Sequence, residues 1–298
     1  MGKKTKVFID GREGTTGLRI YDRLENMDDI ELIILKEEDR KNTEKRKEAL
    51  NSCDIAFLCL PDAAAIEAAE LVENDHVVLI DTSTAHRTDS DWAYGLPELG
   101  GKFEDKIKNS KRIAVPGCHA SGFIALVYPL IEKKIISPDI RLSCFSLTGY
   151  SGGGKKMIAG YEDENRDKLF DAPRQYGITQ NHKHLKEMKA ITGLENKPVF
   201  CPIVGDFYSG MEVTVPLFKE DLAEGFTIED VKNAYKEKYK GSIIKYVEND
   251  DKDGFYSSAD MSGFDNMKIS VDGNDERMIL VARYDNLGKG ASGAAIEC

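Results

Sequence analysis

In the first part of the chain, short apolar runs alternate with stretches whose apolar residues recur at helical intervals. Residues 6–10, 30–35, 54–60, 77–83 and 112–115 are apolar or β-branched runs of strand length. Residues 16–25, 63–73 and 120–133 have the spacing of amphipathic or buried helices, and 43–50 that of a shorter, more polar one. Strands that are apolar almost throughout, each followed by a helix, predict a parallel sheet covered on both faces. That is the Rossmann-type, doubly wound α/β plan for binding a nucleotide.

The rhythm then changes. Residues 140–147, 199–204, 211–218, 243–248, 267–271 and 277–284 are strand candidates, with helices only near 155–164 and 227–238. More consecutive strands and fewer helices predict an α+β domain on a mixed or antiparallel sheet. The expected division is therefore a cofactor domain over 1–117 and a catalytic and oligomerisation domain over 118–284. The polar loop 249–263 selects no function.

Composition narrows the class of protein. With 298 residues, 41% hydrophobic and 31% charged, the chain has the make-up of a water-soluble globular protein of about two domains. Lys and Arg total 41 against 52 Asp and Glu, a net charge of −11. That balance argues against nucleic-acid or anionic-membrane partners, while leaving room for a local basic pocket. No apolar run is long enough to span a bilayer, and residues 1–6 lead straight into the first strand, so a cytoplasmic location is expected. The six cysteines form no CxxC pair and no metal-type cluster. Cys53, Cys59, Cys144 and Cys201 lie in or beside apolar strands, as buried small hydrophobes do.

Candidate chemistry sits at the ends of predicted strands. Asp10-Gly11-Arg12-Glu13-Gly14-Thr15-Thr16-Gly17 follows the first strand and opens a helix. Glycines at 11, 14 and 17 permit a tight turn and close approach of a pyrophosphate, which the helix N-terminus then binds. Ordinary turns also carry glycine; position in the alternating pattern favours the nucleotide site. No acid directly follows the second strand. Lys36 stands there, with Arg40 and Arg12 nearby, which suits a 2′-phosphate and so NADP over NAD, although Glu37 and Glu38 are close.

Pro116-Gly117-Cys118-His119-Ala120-Ser121-Gly122 is the sharper signal. A strand ends in a Pro-Gly turn and a helix begins just after Cys118, where unpaired N–H groups favour a thiolate nucleophile. Asn181-His182-Lys183-His184-Leu185-Lys186-Glu187 supplies a base, with Glu187 on the same helix face as His184 and placed to orient it. Two histidines also suit a metal, but no matched third ligand stands nearby. Ser83 and Arg87, in the segment 81–87, suit a phosphate or carboxylate, or a capped loop. The glycine-rich segment 285–293 reads as a turn or as a return to the cofactor site.

These pieces together resemble the N-acetyl-gamma-glutamyl-phosphate reductases, in their shorter, second type. The resemblance rests on DGREGTTG at 10–17, DTSTAHR at 81–87, YGLPEL at 94–99, PGCHASG at 116–122, GYSGGGK at 149–155, HKHLKE at 182–187 and DNLGKGASGAA at 285–295, in family order. It implies NADPH-dependent reduction of an acyl phosphate to a semialdehyde, with Cys118 as nucleophile and His184 as acid/base. It implies cofactor contacts from Gly11, Arg12, Gly14, Thr15, Thr16, Gly17 and Lys36, with Asn286 and Lys289 near the nicotinamide. Ser83, Arg87, Lys155 and Glu187 become substrate contacts. Residues 285–298 are expected to return to the cofactor domain, and the assembly to be a homodimer or homotetramer. The one-carbon-longer acyl phosphate of lysine biosynthesis stays open, because a methylene discriminates only modestly.

Overall fold

The computed structural model describes residues 3–298; Met1 and Gly2, the start of the segment expected to lack a leader, lie outside the described residues. The chain divides into two units. One takes the chain up to Pro97, then Gly101–Pro116 and Ala291–Cys298; the other takes Glu98–Gly100 and Gly117–Gly290.

The first unit contains β1 (Thr5–Asp10), α1 (Thr15–Leu24), β2 (Ile30–Ile33), α2 (Thr43–Ser52), β3 (Ile55–Leu58), α3 (Asp62–Glu70), β4 (Val78–Asp81), β5 (Ala93–Tyr94), α4 (Lys102–Asn109) and β6 (Arg112–Ala114). Its six strands are all parallel, in the order β2-β1-β3-β4-β6-β5. Successive β1 side chains go to opposite faces: Phe8 joins Leu50, Leu58 and Leu79, while Val7 and Ile9 join Ile20, Phe57 and Ile80. Both faces are therefore apolar, which is why these strands show no alternation in the sequence. The winding reverses between β1 and β3, so their C-terminal ends flank a topological switch point.

The second unit contains α5 (Cys118–Glu132), β7 (Ser143–Gly149), α6 (Gly154–Glu162), β8 (Arg174–Gln175), α7 (His184–Thr192), β9 (Val199–Gly205), β10 (Met211–Phe218), α8 (Ile228–Lys238), β11 (Ile244–Tyr246), β12 (Met267–Gly273) and β13 (Arg277–Tyr284). The seven-stranded sheet runs β11-β12-β13-β10-β7-β9-β8. It is mixed: β7 with β9 and β11 with β12 are parallel, and the other pairs are antiparallel. The parallel-sheet domain and the mixed-sheet α+β domain expected from the sequence are both present.

Helix α5 is apolar on every side, as a helix buried against a sheet must be. Pro129 lies within it and has no N–H to offer the Ala125 carbonyl. The Tyr239 hydroxyl donates to that carbonyl instead, at 2.6 Å, and Tyr235 donates to Leu126 O at 2.6 Å. The orphaned acceptor is thus satisfied by Tyr239, from the segment just after α8.

Three features depart from the expected pattern. Helix α4 and the two-residue strands β5 and β8 were not predicted, because segments so short or so polar carry little periodicity. Helix α5 starts at Cys118 itself, with Gly117 as N-cap. Residues 285–290 remain with the second unit, and the chain re-enters the first only at Ala291. The last helix, α9 (Gly293–Glu297), then places Ala294 and Ala295 against Ile20 and Leu24. No helix among the described residues is long and apolar enough to cross a membrane.

Candidate active site

Cys118 is the first residue of α5, so its N–H and the two that follow have no partner within the helix. Tyr284, fully buried on β13, reaches this first turn: its hydroxyl donates to Cys118 O and accepts from Gly122 N–H at 3.0 Å. A hydroxyl is thereby inserted where the helix would close its own bond, which ties the Cys118 backbone to the sheet. Only glycine fits at 122, since a Cβ there would stand 2.7 Å from the Tyr284 oxygen. On the other side Gly117 N–H donates to Glu187 Oε1 at 2.8 Å. Glu187 is 2% exposed. Expected to orient His184 and touch substrate, it spends this oxygen on the turn that carries Cys118.

Two histidines stand beside the thiol, and a third packs against them. Cys118 Sγ and one ring nitrogen from each of His119 and His184 lie within 4.8 Å of one another. His184 opens α7 and is buried, and its backbone N–H donates to His182 Nδ1 at 3.3 Å. Burial and the neighbouring Lys183 hold the His182 pKa below its ordinary value, so its Nδ1 is available as a cap for α7. The pair thus divides its work: His182 caps, and the His184 ring joins the cluster. Sequence reading passed over His119. Its ring is 3% exposed and sits between Ser146 Oγ on Nδ1 and the Tyr176 hydroxyl on Nε2, each 2.6 Å away. Burial, with His182 nearby, pushes its pKa down to about 3 and keeps it neutral. Thiol and imidazole donors suit a zinc ion in principle, but both His119 nitrogens are already engaged. The arrangement is a thiol with an imidazole beside it, a pairing that suits nucleophilic chemistry.

In the first unit, the glycine loop lies at the switch point. Gly11 has φ +83° and its absent Cβ would fall 2.2 Å from Cys59 O, so the loop after β1 packs directly against the end of β3. Gly14 N–H returns to Gly11 O at 3.0 Å, and Gly14 then caps α1, bringing Thr15, Thr16 and Gly17 into its first turn. Beside the loop is a cavity of about 590 Å³ whose walls include Gly11, Arg12, Glu13, Arg40, Lys41 and Arg46. Arg40 Nη1 meets Glu13 Oε1 at 3.0 Å and Arg12 Nε meets it at 3.4 Å. Arg46, buried on α2, pairs with Asp10 at the end of β1 at 2.9 Å. Asp10 is nonetheless held above the usual carboxylate range by its burial, with Arg46 opposing. Nothing in the polar run Lys45-Arg46-Lys47 distinguished Arg46 beforehand.

Residues 118–286 match the protein family described as "Semialdehyde dehydrogenase, dimerisation domain", and residues 6–109 match "Semialdehyde dehydrogenase, NAD binding domain". The N-acetyl-gamma-glutamyl-phosphate reductase of Sinorhizobium medicae is 45% identical over 301 residues, covering 99% of this chain and 97% of the relative. The chain belongs to the N-acetyl-gamma-glutamyl-phosphate reductase family, within the semialdehyde dehydrogenases. N-acetyl-gamma-glutamyl-phosphate reductase 2 of a Nostoc species is 42% identical, covering 99% and 95%. Among solved structures, aspartate semialdehyde dehydrogenase II from Vibrio cholerae has the same fold, with TM-score 0.72 at 16% identity, covering 99% of this chain and 97% of that one.

Several candidate contacts in this member of the reductase family are engaged by other protein groups. Ser83 Oγ donates to Asp81 Oδ2 at 2.8 Å, and Arg87 donates to the carbonyls of Val115 and Thr82, each at 2.9 Å. Both are buried and hold the loop after β4 in shape. Asn286 donates to Ser151 Oγ at 3.0 Å and accepts from Gly210 N–H at 2.9 Å. Lys289 is fully buried and ion-paired with Glu98 at 2.5 Å. A glycine-rich stretch looks like a ligand loop in sequence, but partners from distant segments have drawn these two side chains inward. Lys36 is exposed and outside the cavity wall, which takes Arg40 and Lys41 instead. Lys155 is exposed in the first turn of α6.

Proposed function

We propose that this chain reduces N-acetyl-gamma-glutamyl phosphate to the semialdehyde with NADPH, through a thioester on Cys118. The observation that carries this reading is the thiol at the start of α5 with a His184 ring nitrogen within 4.8 Å. His184 takes the thiol proton, and the Cys118 thiolate attacks the acyl carbon, expelling phosphate. N–H groups of the first turn of α5, which the helix itself does not use, would stabilise the oxyanion that forms. His184 later returns a proton as the reduced adduct releases the aldehyde. NADPH, when bound, supplies the hydride.

The residues of the first unit fit that cofactor. A glycine loop folded too tightly for a Cβ at Gly11 or Gly17, leading into the N-terminus of α1, suits a pyrophosphate. Arg12, Arg40 and Lys41 on the cavity wall suit a 2′-phosphate. The first unit is accordingly the cofactor domain and the second the catalytic one. The outer face of the seven-stranded sheet exposes Phe145, Val199 and Ile279, which supports a homodimer or homotetramer built on that face. A cytoplasmic location agrees with the composition.

The decisive test runs the reaction backwards. Phosphate-dependent reduction of NADP by N-acetylglutamate semialdehyde is expected, with the aminoadipate analogue as comparison. A purified protein that turns over neither semialdehyde overturns the proposal.

A further inference from the structure

The Ser146–His119–Tyr176 chain has a proton arrangement that its surroundings dictate. Ser146 is completely buried on β7, and its hydroxyl has one hydrogen-bond partner among the described residues, His119 Nδ1. A buried O–H left without an acceptor is costly, so Ser146 donates and Nδ1 accepts. The ring is neutral and carries a single proton, which must then be on Nε2. Nε2–H donates to the Tyr176 oxygen at 2.6 Å. The phenol proton is left pointing away from His119, and the hydroxyl makes no other hydrogen bond among the described residues.

Tyr176 stands where that proton is useful. It is half-buried, its backbone is anchored to Pro202 O at 3.0 Å, and its ring centroid is 6.0 Å from that of His182. The His119 ring, which it touches, is 5.4 Å from the His184 ring and adjoins Cys118. Burial and the nearby Cys118 raise the phenol pKa, so Tyr176 keeps its proton over the whole working range.

We infer that Tyr176 donates a hydrogen bond to the acyl oxygen of the substrate on Cys118, and that His119 and Ser146 are positioning residues that turn the phenol proton toward it. No proton is transferred along the chain; a fixed donor meets the negative charge as it develops on the acyl oxygen. The inference rests on the thioester reading above.

The experiment compares Tyr176→Phe, Ser146→Ala and the double variant with the wild-type enzyme. Each is assayed for kcat, KM and NADPH affinity, while acylation of Cys118 in the absence of NADPH is followed by rapid-quench mass spectrometry. Tyr176→Phe should lower kcat about a hundredfold, the effect of losing one oxyanion donor, with KM and NADPH affinity little changed. Ser146→Ala, which touches no substrate, should lower the same parameter by a smaller factor, because the phenol is then free to turn its proton onto His119. The double variant should be no slower than Tyr176→Phe, since the two residues act through one hydrogen bond. Wild-type kcat in Tyr176→Phe overturns the inference and leaves the thioester reading standing. Losses that multiply in the double variant overturn it as well, since Ser146 would then act apart from Tyr176. Absence of acyl-Cys118 in the wild type overturns both.

Discussion

Replacing Gly122 by alanine sets two effects of opposite sign against each other. Position 122 lies inside α5, where alanine is favoured over glycine by about 1 kcal/mol. Propensity alone therefore predicts stabilisation. The added Cβ, however, would lie 2.7 Å from Tyr284 Oη, 2.8 Å from Tyr284 Cε1 and 2.8 Å from Val213 Cγ2. Tyr284 and Val213 are both fully buried, so neither has room to retreat. Overpacking of this kind costs roughly 1–3 kcal/mol. Pushing the hydroxyl away also weakens its bonds to Cys118 O and Gly122 N–H, at about 1 kcal/mol each. The balance is a net destabilisation of about 2–4 kcal/mol if both bonds are lost. Urea denaturation followed by circular dichroism reads this as a lower midpoint at constant slope. Turnover should fall too, because the displaced hydroxyl anchors the nucleophile's backbone. Tyr284→Phe in the same background should recover part of the loss by relieving the oxygen contact. A Gly122→Ala protein as stable as the parent, or more so, would refute the argument.

Cys118→Ser should bind NADPH normally in fluorescence titration and show almost no turnover, because an alcohol is scarcely ionised at neutral pH. His184→Asn should lower kcat by roughly two to four orders of magnitude, and His182→Asn by much less; the reverse ranking in steady-state assays would exchange their roles. Arg46→Met leaves Asp10 buried without its cation, which should cost about 3–5 kcal/mol in a denaturation curve. His119 binds its proton far more weakly when folded than when unfolded, so its contribution to stability is complete above pH 6.5 and is lost as pH falls toward 3. Its slope is about 1.4 kcal/mol per pH unit in that window, and His182 adds in the same direction. His119→Gln should flatten that part of the stability–pH curve.

Much of this protein is legible in order of residues alone. Strand–helix alternation, the glycine loop after the first strand and the thiol after a Pro-Gly turn are local patterns, set by backbone geometry and by apolar spacing over a few residues. They gave both sheets, the family and the segments carrying the nucleophile and the base. What a side chain does once the segments meet depends on neighbours far away in sequence, and there local pattern is silent. Nothing local in the sequence shows that Lys289 and Asn286, expected near the nicotinamide, also pair with Glu98, Ser151 and Gly210. Arg87 suited an anion or a capped loop in sequence, and in the fold it donates to the carbonyls of Val115 and Thr82. His119 drew no notice in the sequence, since only the meeting of β7, α5 and the residue after β8 makes it the centre of a three-group chain. The sequence by itself determined which chemistry is available, because that is a property of residue types at strand and helix ends. Tertiary structure decided which groups remain free to use it, because burial and hydrogen-bond satisfaction are settled only when distant segments pack together.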